Sequence, residues 1–170
     1  MIIIFPMADI NIEYIEKAKV YIEEVYKEDV KIGDKIPFPE ECLNKKRNQY
    51  DSVCVLEKVK DFEGGKVVYL CDKDLYEGNL NFIFGLAEGI GGRRCIVSIS
   101  RLKESFYGKK ENASLTILRI AKEIVHEVGH LKGFYHCGNK KCVMTFSNSL
   151  QDTDFKDYKP CDECKKKLKL

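Results

Sequence analysis

The chain has 170 residues, 44% of them hydrophobic and 33% charged, which suits one soluble globular domain able to bury a sizeable core. Its 29 basic and 27 acidic side chains leave a net charge of +2, against the basic stripe that a general phosphate-backbone binder needs. No apolar run approaches the ~20 residues of a membrane span. The opening MIIIFP lacks the basic lead and small-residue cleavage site of a signal peptide, so a soluble, cytoplasmic protein is expected.

In chain order, IIIFP at 2–6 predicts a buried strand ended by Pro6. Asn11 can cap a helix over about 12–27, where Ile12, Ile15, Ala18, Ile22 and Val25 recur at helical spacing. A strand near 29–33 and a proline-bearing turn at 36–40 follow. The pattern Tyr50, Val53, Leu56, Val59 predicts a second helix over about 48–62, ended by Gly64-Gly65. KVVYLC (66–71), LNFIFGLA (80–87) and CIVSIS (95–100) read as strands. GIGG (89–92) reads as a turn between the last two, because no helix start or Lys-Ser/Thr follows as a phosphate-cradling loop requires. A long helix is expected over about 115–132, its face lined by Leu115, Leu118, Ala121, Val125, Val128 and Leu131. Beyond Gly133 the pattern breaks into loops, and KKKLKL at 165–170 reads as a solvated tail. The expected fold is therefore α/β (α+β): a twisted mixed sheet with helices and a small irregular C-terminal part. Residues 1–170 are read as a single domain, with an upper sheet-and-helix part over about 1–133 and a lower part over about 134–170.

All three histidines fall within HEVGHLKGFYHC, 126–137. His126 and His130 are one turn apart on one helix face, so two imidazoles can converge on one ion. A continuing helix would carry position 136 away from that ion. Gly133 supplies the break, because glycine accepts the left-handed conformation that ends helices and lets His136 come round as a third ligand. Three neutral imidazoles leave a tetrahedral zinc with one open position for water. Glu127 is rotated about 100° round the helix, on the flank of the site, where its carboxylate can accept a proton from zinc-bound water. The competing reading is a set of ordinary polar or core histidines. The third histidine, the glycine at the required spacing and the independently predicted helix weigh against it.

Eight cysteines are many for a reduced compartment, where metal binding explains clustered thiols better than disulfides do. Cys137, Cys142, Cys161 and Cys164 form a Cx4C…Cx2C set suited to a closed, structural zinc site; two local disulfides are the alternative. Cys42, Cys54, Cys71 and Cys95 lack such spacing and read as small core hydrophobes. Met144 either plugs a gap or floors the histidine site.

HEVGHLKGFYHC, then CVM, then CDEC closely resembles the archaemetzincins, a branch of the metzincin zinc peptidases. The motif residues cover 126–164. NFIFGLAE and IVSISRL look like the strands before that family's active-site helix, and RNQYDS (47–52) is similar to one of its helical segments. The one departure is a sixteen-residue spacer from Met144 to Cys161, about one residue short. The resemblance implies a zinc-dependent metallopeptidase with two zinc ions. Catalytic zinc would sit on His126, His130 and His136, with Glu127 as general base and a Met-turn at Met144. Structural zinc would sit on Cys137, Cys142, Cys161 and Cys164. It also implies a cleft between the upper and lower parts, with a sheet edge at 80–87 binding an extended peptide as an added strand. With no propeptide in front of the domain, no latency device is expected. The implied partner is a peptide or protein substrate met by a monomer, with no nucleic acid or membrane. One rival is a catalytically silent zinc-bound peptide-binding module, which would have no need of Glu127. Another is a nucleic-acid binder using the four-cysteine knuckle and lysine-rich tail, against which the near-neutral charge speaks.

Overall fold

The computed structural model describes residues 1–7 and 9–168. Its centre is a five-stranded mixed sheet built from β1 (Ile2–Pro6), β2 (Val30–Ile32), β5 (Lys66–Cys71), β7 (Gly85–Ala87) and β8 (Arg94–Ser98), in the order β2-β1-β5-β8-β7. The first four in that order are parallel, and β7 lies antiparallel to β8 at the edge. Parallel strands are covered on both faces, which is why β1 and β5 read as unbroken apolar runs. Ile2, Ile4, Val68, Leu70, Cys95 and Val97 face one core, while Phe5, Val67, Tyr69, Cys71 and Ile96 face the other.

Two helices fill the first face. In α1 (Ile12–Tyr26), Asn11 Oδ1 accepts the Glu13 N–H at 3.0 Å, and Ile15, Ala18, Ile22 and Val25 are buried; Ile12 stays half exposed. In α3 (Ala113–Leu131) the cap is Asn112, whose Oδ1 accepts the Leu115 N–H at 3.1 Å. Residues outside the predicted stripe of α3 are buried as well, among them Ile117, Arg119, Ile120, Glu123 and Ile124. This helix runs between the sheet and the C-terminal segment and is enclosed nearly all round. The C-terminal segment carries α4 (Leu150–Phe155) and α5 (Asp162–Leu168), and its Cys142, Val143, Met144 and Cys164 join the same core as α1 and α3. The last two residues of the predicted basic tail lie outside the described residues.

Four expectations change. The segment beyond Gly133 is not loops throughout, because α4 and α5 form there and α5 takes in residues 165–168 of the expected tail. Residues 48–62 are not one helix. Gln49–Asp51 forms β4, paired with β3 (Leu43–Asn44) and β6 (Leu75–Tyr76) in a second small sheet, and α2 spans only Ser52–Lys58. Asp51 caps α2 by accepting from the Val53 and Cys54 N–H groups, while the Tyr50 N–H is committed to the Asp74 carbonyl. The strand expected over 80–87 shrinks to 85–87. The carbonyls of Leu80 and Asn81 are taken by Arg47, and that of Asn81 also by Gln49, so no ladder can continue there. Cys42 and Cys54 are not free core thiols: they form a disulfide, Cα atoms 5.7 Å apart, that ties the 3₁₀ turn at Glu40–Cys42 to α2. Cys71 and Cys95 are buried free thiols as expected. Among the described residues no helix is long and apolar enough to cross a membrane.

Arg119 shows how tightly α3 is held. It is 3% exposed, forks onto Asp154 of α4 at 2.6 and 2.7 Å, and also donates to Glu104 at 2.6 Å and to the Leu102 carbonyl at 3.0 Å. Removing one partner of such a cluster strands the others. Arg119→Ala should therefore lower unfolding free energy by about 3 kcal/mol in chemical denaturation.

Candidate active site

The three histidines meet where α3 ends. Gly133 takes φ +100°, its N–H reaches the His130 carbonyl at 3.0 Å, and the Phe134 N–H reaches that of Gly129 at 3.0 Å. This 5→2 and 6→1 pairing is a Schellman ending, and it turns the chain back toward its own last turn. His136 then returns beside His130, ring centroids 4.8 Å apart, and beside His126 at 5.2 Å. One ligand atom from each of the three lies within 4.8 Å of the others. His126 and His130 are buried and His136 is exposed, so the group opens to solvent on one side.

The tautomers follow from the partners. His126 Nδ1–H donates to the Val143 carbonyl at 2.8 Å, and His130 Nδ1–H donates to the Phe134 carbonyl at 2.6 Å. Both Nε2 atoms are then bare, and they face each other at 3.0 Å. Burial is the main force pushing the pKa of all three rings down; Lys156 adds to it for each, and the neighbouring imidazoles add to it for His126 and His136. Neutral rings with converging lone pairs repel one another unless a cation lies between them. Tetrahedral zinc with Zn–N bonds of ~2.0–2.1 Å sets nitrogens about 3.3 Å apart, so this donor set fits such an ion.

Glu127 is buried between α3 and the edge strand β7. A Cβ on Gly85 would come 2.8 Å from its Oε1 and 2.9 Å from the Ile96 carbonyl, so only glycine leaves room for the carboxylate there. Burial raises the Glu127 pKa to about 8, with the charge of Glu123 adding and that of Lys156 and the Ala87 N–H opposing. A cation at the histidines would pull the same value back down.

The four cysteines form a second group, their sulfurs within 4.8 Å of one another. Cys137 and Cys161 Sγ lie 3.8 Å apart, the separation that tetrahedral Zn–S bonds of ~2.3 Å give at about 3.8 Å. Backbone N–H groups point at the sulfurs: Cys161 N–H at Cys142 Sγ (3.2 Å) and Asn139 N–H at Cys137 Sγ (3.5 Å). A backbone bond from Cys164 is the largest influence lowering the Cys161 thiol, to about 7, whereas burial raises Cys142. These thiols make no disulfide.

The predicted residues thus come together as two separate donor groups. Sequence reasoning missed Gly85, the Val143 and Phe134 carbonyls, and the buried pair Glu123–Lys156. Only Glu123 carried a signal, since it lies three residues before His126 on the same helix face. Met144 is 1% exposed and packs under the last turns of α3, where a Cβ on Gly129 would meet its Sδ at 2.3 Å.

This sheet, helix and pair of donor groups define a metallopeptidase architecture, and comparison with known proteins agrees. Residues 2–170 match the family model of Peptidase family M54. The archaemetzincin of Methanocaldococcus jannaschii is 40% identical over 167 residues, covering 98% of this chain and 92% of the relative. That of Saccharolobus solfataricus is 35% identical over 170 residues, covering 94% and 90%. Among solved structures, the malonate-complexed archaemetzincin of Archaeoglobus fulgidus superposes with TM-score 0.84 at 34% identity, over 98% of this chain and 99% of that one. A zinc-dependent peptidase from Methanocorpusculum labreanum gives TM-score 0.89 at 31% identity, over 99% and 100%. The chain belongs to peptidase family M54, the archaemetzincins, and is a zinc metallopeptidase with the zincin-like fold.

Met144→Ala should leave a cavity beneath α3 and cost roughly 3 kcal/mol, whereas Met144→Leu should cost under about 1.5 kcal/mol. Denaturant midpoints of the two variants check this.

Proposed function

We propose that this chain hydrolyses peptide bonds with a catalytic zinc on His126, His130 and His136, and that Cys137, Cys142, Cys161 and Cys164 hold a second, structural zinc. The observation that carries the reading is the convergence of three imidazoles beside one buried carboxylate. A zinc ion held by the imidazoles supplies Lewis acidity, polarising a scissile carbonyl and bringing the pKa of a water toward ~7. The carbonyls of Val143 and Phe134 hold His126 and His130 in the tautomer that presents Nε2. Glu127 is the proton carrier: its carboxylate takes the proton of the attacking water and delivers it to the leaving amine. Burial against Gly85 restricts that carboxylate to one place, so little reorganisation is needed when the proton moves.

The edge of β7 away from β8 can receive an extended substrate backbone: Phe84 and Glu88 bond β8, so the alternate residues Gly85 and Ala87 turn their main-chain groups outward, next to Glu127. Every proposed ligand and the base come from one chain, so a monomer suffices for the reaction.

Metal analysis of the purified protein should find two zinc ions per chain, falling to one in His130→Ala; one in the wild type would remove the four-cysteine assignment. Glu127→Ala should cut kcat/KM by about 10³-fold at unchanged zinc content. Gly85→Ala, which displaces the carboxylate without deleting it, should also keep its zinc yet lose about tenfold to 100-fold. A zinc-loaded wild type that cleaves nothing in a broad peptide library would overturn the proposal.

A further inference from the structure

Beside His126 and Glu127 lies a cavity of about 30 Å³, roofed by Phe82 and Phe84 and bounded by Glu123 on one side and Ser147 on the other. Its wall of Phe82 and Phe84 is aromatic, and its polar groups are unusual. Glu123 is 3% exposed and Ser147 Oγ is buried with no hydrogen-bond partner among the described residues. Glu123 Oε1 accepts the Thr153 hydroxyl at 3.0 Å and lies 3.1 Å from Lys156 Nζ. That lysine is buried, and its approach to Glu123 is a charge contact off the hydrogen-bonding directions, since Nζ makes no directed bond. The carboxylate is therefore held in place from behind, through Oε1. Its other oxygen makes no hydrogen bond within the described residues.

We infer that Glu123 and Ser147 are specificity-determining residues that select a serine or threonine side chain next to the scissile bond. This rests on the peptidase reading above and adds a substrate class to it. Size supplies the first filter. A water-sized group needs about 10–15 Å³, so a cavity of about 30 Å³ favours a small side chain. Hydrogen-bond chemistry supplies the second. A hydroxyl entering there donates to the free Glu123 oxygen and accepts from Ser147 Oγ, satisfying both at once. A methyl in its place strips water from both groups and returns nothing, and a site built to bond a hydroxyl rejects the analogue without one.

The test uses zinc-loaded full-length protein and peptides identical except for Ser, Thr, Ala, Val or Leu at each of the two positions flanking the cleaved bond. At one of those positions Ser and Thr should exceed Ala and Val in kcat/KM by about tenfold. In Ser147→Ala that ratio should fall below about threefold, and likewise in Glu123→Gln. Calorimetric binding of the same peptides to Glu127→Gln should show the same order without turnover, which separates recognition from chemistry. Cleavage with Leu preferred or with no preference, or a ratio untouched in Ser147→Ala, overturns this inference and leaves the peptidase reading standing. No cleavage of any peptide removes the peptidase reading; in that case binding to Glu127→Gln without a Ser/Thr preference removes this inference too.

Discussion

The hydrogen bond from His126 Nδ1–H to the Val143 carbonyl joins α3 to the C-terminal segment at the point where the three histidines converge. It orients one imidazole, and it also locks the loop that carries Cys142 and Met144 against the helix. The Cys137 N–H donates to the Met144 carbonyl at 2.9 Å, so the strand of chain leaving His136 is tied to the same loop. Two adjacent carbonyls, those of Val143 and Met144, therefore coordinate the histidine group and the cysteine group with one another. A metal at the cysteines would hold this loop rigid, and a rigid loop would hold the His126 ring.

Enclosure of α3 sets the other terms. A helix buried nearly all round cannot leave charges unpaired, and its other charges have partners from another element: Arg119 with Asp154 and Glu104, Lys122 with the Thr153 and Asp154 carbonyls, and Glu123 with Lys156 and Thr153. Glu127 is the exception. Its nearest charged neighbours only shift it, and it faces the cleft with room provided by a missing Cβ at Gly85. A buried carboxylate without a dedicated counter-ion, next to three convergent imidazoles, is the feature the proposed function rests on.

The glycines divide the labour in an informative way. Gly133 matters for its backbone, because φ +100° is what turns the chain after His130. Gly85 and Gly129 matter for close approach, one to Glu127 and one to Met144. The first kind is visible in a spacing such as HLKGFYH. The second kind depends on which distant side chain arrives, and nothing local announces it.

By itself the sequence determined both donor groups, because His126, His130 and His136, and the four cysteines, are close along the chain and their spacing is dictated by helix geometry and a glycine break. It also determined the central strands and the two long helices, whose apolar periods are long enough to be unambiguous. Tertiary structure alone decided what was non-local or short. It split 48–62 into β4 and α2 through pairing with Asp74 and β6, and it shortened 80–87 to β7 by engaging the Leu80 and Asn81 carbonyls with Arg47 and Gln49. It joined Cys42 to Cys54. It also brought Gly85 from the sheet edge, and Ser147 and Lys156 from either side of α4, against α3. Local periodicity records what a residue's own helix or strand requires; which partner completes a buried hydrogen bond or charge is settled only when the whole core closes.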